Sequence, residues 1–294
     1  MKYGVGHGYW GDVWPGEQDV ISKYKKVAEK LAAFGFDMFE ITADHLYHMN
    51  EAQLVELEAI SREYALTLST NSGPPKQFDL SSSNAQVRED AVGYFNTILR
   101  NMNRVGSPVL AGAIYSFWPT DFVEVDKKAA WERSIPLMRE LGKTAEGYGI
   151  NIALEILNRN ETYILTDCRE AMAYCDEVGS NAVNILLDTY HMNIEEDNMF
   201  DAILLAEDRL KHFHVGENNR KLPGMNNTLD WGKIGETLRK AGYAKGVVME
   251  PFLIEGTYDV RVWRDLSGGK ADDVVQMDEL LKTSLAFLKE KFEG

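Results

Sequence analysis

Eight short apolar runs, each followed by a segment with helical periodicity, constrain the fold of this chain more than any other feature. The runs begin at intervals of roughly 28 to 43 residues, the period of one strand–helix unit in a parallel sheet. They lie at 3–5, 38–41, 66–69, 109–113, 150–154, 183–187, 210–213 and 246–249. Because no linker rich in proline, glycine or serine divides them, we predict an α/β fold, a (β/α)8 TIM barrel with one domain over residues 1–294.

The segments between the runs have the amphipathic pattern of helices. In 20–34, apolar residues such as Val20, Tyr24 and Val27 recur at helical spacing, and Gly35 follows as a C-cap. Pro136, inside the helical stretch 131–148, predicts a late helix start or a kink there.

The composition excludes several classes of partner. The chain has 294 residues, 45% of them apolar, and a net charge of −15, which disfavours nucleic acid as a partner. No run of about 18 apolar residues occurs, so we expect neither a signal peptide nor a membrane span. Cys168 and Cys175 fall seven residues apart in one helical pattern, too far for a disulfide, and a reducing cytoplasm is the predicted location.

Four residues with metal-ligand chemistry stand at or near the ends of the last four apolar runs: Glu155, Asp188, His214 and Glu250. The carboxyl ends of parallel strands meet at the catalytic mouth of a barrel, so these side chains should converge there. Three oxygen ligands and one nitrogen suit Mn²⁺, Co²⁺ or Mg²⁺ better than structural zinc, which prefers thiolates. The sequence therefore predicts a divalent metal site.

Such a site could act on a hydroxy-ketone. The ion would chelate two adjacent oxygens and stabilise an enediolate after a carbon-bound proton leaves. Glu155 and Glu250 end the fifth and eighth runs, so they approach the centre from different sides. One carboxylate could remove a proton while the other returns one to the opposite face. This arrangement permits inversion at carbon.

Around the four residues the sequence resembles a known family. The matching segments are EILNRNE (155–161), LDTYHMNIEED (187–197), FHVGENNR (213–220) and VMEPF (248–252). Trp10 with Trp14, SFWP (116–119) and VWRDL (262–266) also match. These motifs resemble the ketose 3-epimerases, that is, the D-tagatose/D-psicose (D-allulose) 3-epimerase family of xylose-isomerase-like TIM barrels.

The resemblance implies a function in carbohydrate metabolism and a role for each matched residue. Mn²⁺ or Co²⁺, with Mg²⁺ as an alternative, would be held by the four ligands, and Glu155 and Glu250 would epimerise carbon 3 of a free ketose through a cis-enediolate. Substrate would be hydrogen-bonded by Glu161, His191 and Arg220. Apolar walls around the sugar would come from Trp14, Trp118 and Phe252, with Ala113 beside it. The family implies a homodimer or homotetramer.

Four positions depart from the family pattern: Gly6-His7, Asn71, Asn160 and Val215. We expect none of them to touch the metal or the two acid–base carboxylates, so the reaction type should be retained. They should alter the wall that faces the distal half of the sugar. The preferred sugar among psicose, tagatose, fructose and the pentuloses therefore stays open.

Four alternative functions share part of this chemistry. An aldose–ketose isomerase of the same superfamily needs the same ion, and an inositol dehydratase is related, but the match at Glu161, His191 and Arg220 disfavours both. A DNA-repair endonuclease on this barrel would carry several zinc ions and more histidines than the six present. A sugar-binding protein without activity would not need two opposed carboxylates on one ion.

Overall fold

Eight parallel strands close into a barrel in which each strand pairs with its neighbours in the chain and the first pairs with the last. The computed structural model describes residues 1–10, 19–253 and 274–294. The strands are β1 (Lys2–Gly6), β2 (Met38–Thr42), β3 (Thr67–Ser72), β4 (Val109–Gly112), β5 (Asn151–Glu155), β6 (Val183–Asp188), β7 (Leu210–Val215) and β8 (Gly246–Met249). The predicted (β/α)8 barrel is confirmed, whereas the extent of the domain over 1–294 stays a prediction.

The third strand extends farther than its apolar run. The run 66–69 ends before Asn71, yet β3 continues because Asn71 still pairs with both neighbouring strands and Ser72 still pairs with β4. Asn71 stands opposite Thr42 on one side and Ala111 on the other. Its side chain is therefore carried by the rigid sheet at the mouth of the barrel.

Helices surround the barrel. Those described are α1 (Val20–Phe34), α2 (Ala43–His48), α3 (Glu51–Glu63), α4 (Ala85–Val105), α5 (Lys127–Tyr148), α6 (Cys168–Val178), α7 (Thr189–Glu195), α8 (Met199–Ala206), α9 (Trp231–Lys240) and α10 (Val274–Glu293). The bounds of α1 match the predicted helix. Asp19 caps its start by accepting a hydrogen bond from the Ser22 N–H at 2.9 Å, and Gly35 ends it in the left-handed region.

The helix α5 runs through its proline. It begins at Lys127, where Asp126 accepts a hydrogen bond from the Ala129 N–H at 3.0 Å, so the predicted late start is wrong. Pro136 removes one backbone donor. The helix tolerates that loss because the face that includes Met138 and Leu141 is buried against the core.

Alternate residues of the strands fill the inside of the barrel. Ala111, Ala153 and Leu186 form a small buried cluster that is separate from the main core between sheet and helices. Side chains two residues apart on a strand share a face. Glu155 therefore follows Ala153, and Asp188 follows Leu186, on the inward face at the carboxyl ends of their strands.

Two further predictions concern the helices. Cys168 and Cys175 both lie buried in α6 and neither forms a disulfide, as the spacing predicted. Among the helices of the described residues, none combines the length and apolarity that crossing a membrane requires.

Candidate metal and substrate site

The four predicted ligand residues converge at the carboxyl-terminal mouth of the barrel. Glu155 and Asp188 are the last residues of β5 and β6, His214 is the next to last of β7, and Glu250 directly follows β8. One ligand atom from each lies within 4.8 Å of the other three. Nδ1 of His214 is 3.6 Å from Oε1 of Glu155 and 3.5 Å from Oε2 of Glu250.

The chemistry of this cluster fits a divalent cation. Glu155, Asp188 and His214 are buried, and among the described residues neither ring nitrogen of His214 has a hydrogen-bond partner. Burial alone favours a neutral ring, but the carboxylates of Glu40 and Glu250 raise the pKa of His214 well above its ordinary value. The cluster therefore attracts positive charge, and its three carboxylates and one imidazole are ligands that hard and borderline cations accept.

The carboxyl groups of Glu155 and Glu250 differ in proton affinity. Burial and the neighbouring charge of Glu250 raise the pKa of Glu155 to about 7. Glu250 is also desolvated, yet Arg220 and His214 hold its pKa below the ordinary value. Neighbouring carboxyl groups whose pKa values are displaced in opposite directions can serve as acid and base in one reaction.

Arg220 balances the negative charge of the cluster. Its Nη1 donates to Oδ2 of Asp188 at 2.7 Å and to Oε2 of Glu250 at 2.8 Å. The guanidinium lies over the ring of Tyr190 at 4.0 Å and over the ring of Phe252 at 4.6 Å. Stacking and two charge-assisted hydrogen bonds together fix the cation in one orientation beside the two carboxylates.

The loop that carries Arg220 is organised by a buried carboxylate, Glu217, which the sequence reasoning missed. The Arg220 backbone has a φ of 62°; its N–H donates to the Glu217 carbonyl at 3.0 Å, and its carbonyl accepts from the Phe252 N–H at 2.9 Å. The side chain of Glu217 accepts hydrogen bonds from Gly224, Asn227, Thr228 and Trp231. These bonds hold Arg220 in the left-handed backbone conformation, which residues other than glycine rarely adopt.

His191 lies between the cluster and the loop after β5. Burial and the nearby Arg220 lower the pKa of His191 to about 3, so its ring is neutral at physiological pH. Nδ1 accepts from the backbone N–H of Asn158 at 3.1 Å, and Nε2 lies 3.0 Å from Nη2 of Arg220. Nε2 is also 3.7 Å from Oε1 of Glu155. The ring is thus a neutral hydrogen-bonding group next to the two predicted acid–base residues.

Glu161 is fixed by two donors from the loops around the mouth. Its Oε2 accepts from Nε1 of Trp118 at 2.9 Å, and its Oε1 accepts from Nδ2 of Asn158 at 3.1 Å. The indole of Trp118 lies so close to Gly73 that a Cβ there would be 2.5 Å from a ring carbon. Only glycine admits this approach of the indole to the backbone. The packing on Gly73 positions Trp118, and the hydrogen bond from Trp118 in turn positions Glu161.

A cavity of about 200 Å³ opens onto the cluster. Of the predicted site residues, its lining includes Ala113, Trp118, Glu155, Glu250 and Phe252. The predicted residues Glu161, His191 and Arg220 do not line it; they contact the residues that do, or the ligand cluster. Trp14 lies outside the described residues, as does the 262–266 motif.

One departure from the family pattern contacts an acid–base residue. Nδ2 of Asn71 donates to Oε1 of Glu250 at 3.3 Å, so the prediction that no departure touches these carboxylates is wrong. The cause is the longer β3, which places Asn71 at the mouth. Gly6 and His7 line the cavity, as does Asn71 itself. Asn160 is exposed, and Val215 is buried but absent from the lining.

Two further site residues, Glu40 on β2 and His212 on β7, lie buried next to His214. The sequence held a signal for each. Glu40 is a charge inside an apolar strand, and His212 stands two positions before His214, on the same face of its strand. Neither signal predicts a site by itself, because a partner from a distant strand of the barrel is not visible in a local pattern.

Comparisons with known proteins agree with this geometry. A family model described as "Xylose isomerase-like TIM barrel" matches residues 28–290. D-psicose 3-epimerase from Enterocloster bolteae is 39% identical, with 99% of this chain and 96% of the relative covered. D-psicose 3-epimerase from Agrobacterium fabrum is 38% identical, with 98% of each chain covered.

Solved structures give the same result. D-psicose 3-epimerase from Clostridium cellulolyticum H10, solved with D-tagatose, superposes with a TM-score of 0.93 at 37% identity over 99% of both chains. A D-psicose 3-epimerase solved in the presence of D-fructose has a TM-score of 0.93 at 36% identity over 100% of both chains. This chain therefore belongs to the xylose isomerase-like TIM barrels and, among them, to the enzymes of the ketose 3-epimerase family.

Proposed function

We propose that this chain catalyses the metal-dependent epimerisation of a free ketose at carbon 3. The observation that carries the proposal is the pair Glu155 and Glu250, which share one cation-attracting cluster, line one cavity and have pKa values displaced in opposite directions. The relatives named for D-psicose, and those solved with D-tagatose or D-fructose, support a ketohexose substrate. D-fructose/D-psicose, D-tagatose/D-sorbose and a ketopentose are the candidate pairs.

Four residues would hold the ion: Glu155, Asp188, His214 and Glu250. We propose Mn²⁺ or Co²⁺, with Mg²⁺ as an alternative. The bound ion would supply Lewis acidity, which lowers the cost of forming negative charge on the ketose oxygens. Arg220 bonds two of the three carboxylates, those of Asp188 and Glu250, and so limits their repulsion.

The protein's own groups would move the protons. Glu155 and Glu250 extend from β5 and β8, which are separated around the barrel by β6 and β7. One carboxylate would take the proton from carbon 3, and the other would return a proton to the opposite face of the resulting cis-enediolate. The proton count is unchanged over one turnover, because each carboxyl ends in the state in which its partner began.

The remaining predicted residues would orient the sugar. His191, Arg220 and Glu161 would offer a neutral imidazole, a guanidinium and a carboxylate to the oxygens on the first carbons of the ketose. Trp118, Phe252 and Ala113 form apolar parts of the cavity wall. The homodimer or homotetramer, the cytoplasmic location and the role of Trp14 stay predictions.

One incubation separates this function from the nearest alternative. The purified protein with Mn²⁺ is incubated with D-fructose, and the products are separated by sugar chromatography. Psicose as product supports epimerisation at carbon 3. An aldose as product would show proton transfer between carbons 1 and 2, the reaction of an isomerase, and would overturn the proposal.

Chelation tests the metal. EDTA should abolish turnover, because the carboxylates alone cannot stabilise the enediolate charge, and added Mn²⁺ or Co²⁺ should restore it. The same protein dialysed without chelator is the control. Full activity after exhaustive chelation, verified by elemental analysis, would contradict metal dependence.

A further inference from the structure

A buried carboxylate crosses the barrel to reach the rear of His214. Glu40 lies in β2, is 3% exposed, and places Oε1 at 3.1 Å from Nε2 of His214. Its Oε2 is 2.8 Å from Nε2 of His212 and accepts a hydrogen bond from Oγ of Ser69 at 2.9 Å. Glu40 is therefore surrounded by donors from β3 and β7.

Packing alone does not account for a carboxylate at this place. Moving a carboxylate out of water costs several kcal/mol, which only close partners offset, and an apolar residue of the same size would avoid that cost. The barrel interior uses that solution elsewhere, at Ala111, Ala153 and Leu186. Glu40 thus has a task that needs a hydrogen-bond acceptor.

The two nitrogens of the His214 ring face different surroundings. Nε2 lies 3.1 Å from Oε1 of Glu40, a contact short enough to become a hydrogen bond with a small rotation of the ring, whereas Nδ1 faces Glu155 and Glu250 at 3.6 and 3.5 Å. A neutral imidazole carries one proton, and an acceptor at one nitrogen holds the proton there. With its proton on Nε2, His214 directs the lone pair of Nδ1 into the ligand cluster.

We propose that Glu40 is a positioning residue, which fixes the orientation and tautomer of His214 so that Nδ1 can bind the cation, while His212 anchors Glu40 from the other side. The inference rests on the metal site of the proposed function. In this role Glu40 supports the metal site without being a ligand of the ion. Metal-bound histidines are commonly oriented by a carboxylate in this way, and loss of the carboxylate weakens metal binding.

A second ion among Glu40, His212 and His214 is the competing interpretation, since their ligand atoms also lie within 4.8 Å of one another. It would require His214 to bind a metal through both nitrogens and lose its ring proton altogether. The hydrogen bond from Ser69 further occupies Glu40. Titration of the protein with Mn²⁺ distinguishes the two, because the positioning role predicts one bound ion per chain.

The test is the Mn²⁺ affinity of metal-stripped Glu40→Gln, measured by isothermal titration calorimetry. Glutamine keeps the size but offers one acceptor and one donor group, so it cannot accept from both rings. We expect the Mn²⁺ dissociation constant to rise about 10- to 100-fold. Excess Mn²⁺ should restore turnover, which a general folding defect would not allow.

Asp79→Asn is the matched control. Asp79 is a buried carboxylate that accepts hydrogen bonds from Ser81 and lies outside the cluster. Its neutralisation should change the melting temperature of the metal-free protein but leave the Mn²⁺ affinity unchanged. A folded Glu40→Gln protein with wild-type Mn²⁺ affinity would overturn the positioning role and leave the proposed function standing, whereas wild-type protein that binds no Mn²⁺ would overturn both.

A measurement on the unaltered protein covers the case in which Glu40→Gln does not fold. Long-range ¹H–¹⁵N spectra of the Mg²⁺-loaded wild-type protein report the protonation of each histidine nitrogen. We expect His214 to carry its proton on Nε2 and to show its metal-dependent shift at Nδ1. A ring protonated at Nδ1, or bare at Nε2, would refute the proposal.

Discussion

The two halves of the barrel mouth are built from the same repeating unit but hold different chemistry. The ends of β5 to β8 carry all four candidate ligands, and the segments that follow β5, β6 and β7 carry Glu161, His191 and Arg220. The ends of β1 to β4 contribute mainly wall residues to the cavity, among them Gly6, His7, Thr42, Asn71, Ala113 and Trp118. The fold thus sets where side chains meet, and the last one or two residues of each strand decide what they do.

The division between the halves is not complete. Asn71 on β3 donates to Glu250 at 3.3 Å, and Glu40 on β2 lies 3.1 Å from His214. Each contact lets the wall half act on a group of the other half. Changes in the wall can therefore alter the proton affinity or orientation of reacting groups as well as the shape of the cavity.

The largest expected effect is on kcat and comes from the half that carries the ligands. In Glu155→Gln or Glu250→Gln, kcat should fall by about 10²- to 10⁴-fold, because each change removes a proton carrier and weakens a ligand. The rates are measured by ketose chromatography at saturating Mn²⁺. Exposed Glu89→Gln on α4 is the control and should keep wild-type kcat. Near wild-type turnover in either site variant would refute the acid–base assignment.

An intermediate effect concerns the pH dependence of stability in the metal-stripped protein. The pKa of Glu155 is raised from 4.5 to about 7, so between these values the folded protein retains a proton that the unfolded chain releases. The stabilising contribution of Glu155 is fully present below pH 4.5 and is lost as pH rises to about 7.

The measurement compares urea unfolding of wild-type and Glu155→Gln protein across that pH range. The wild type should lose stability relative to the variant by at most about 3 kcal/mol, and Mn²⁺ should oppose this loss in the wild type because it binds the ionised carboxylate. Parallel stability curves for the two metal-stripped proteins would show that Glu155 does not titrate in this way.

The smallest expected effect lies at the junction of the halves. Asn71→Ala removes a long hydrogen bond to Glu250. Such a bond contributes about 1 kcal/mol, so kcat/KM should fall by about 5-fold. Asn160→Ala, at the exposed departure, is the control and should leave kcat/KM unchanged. If both variants behave alike, the contact between Asn71 and Glu250 has no functional weight.

Local stretches of sequence determined the strands of the barrel and the grouping of the four candidate ligands. Each apolar run of one β/α unit predicted a strand, and the polar residue at its end predicted a side chain at the mouth, so Glu155, Asp188, His214 and Glu250 could be grouped without coordinates. This succeeds because the parallel barrel repeats one short-range rule eight times. Their roles as ligands and as acid and base stay proposals that the experiments above test.

Only the tertiary structure decided the contacts between distant units. Glu40 and His212 are 172 residues apart, and they meet because pairing of β1 with β8 closes the barrel and brings β2 within reach of β7. The contact of Asn71 with Glu250 likewise depends on how far β3 stays paired with its neighbours. A local pattern encodes which face a side chain occupies, but barrel closure and strand register determine which side chain lies opposite.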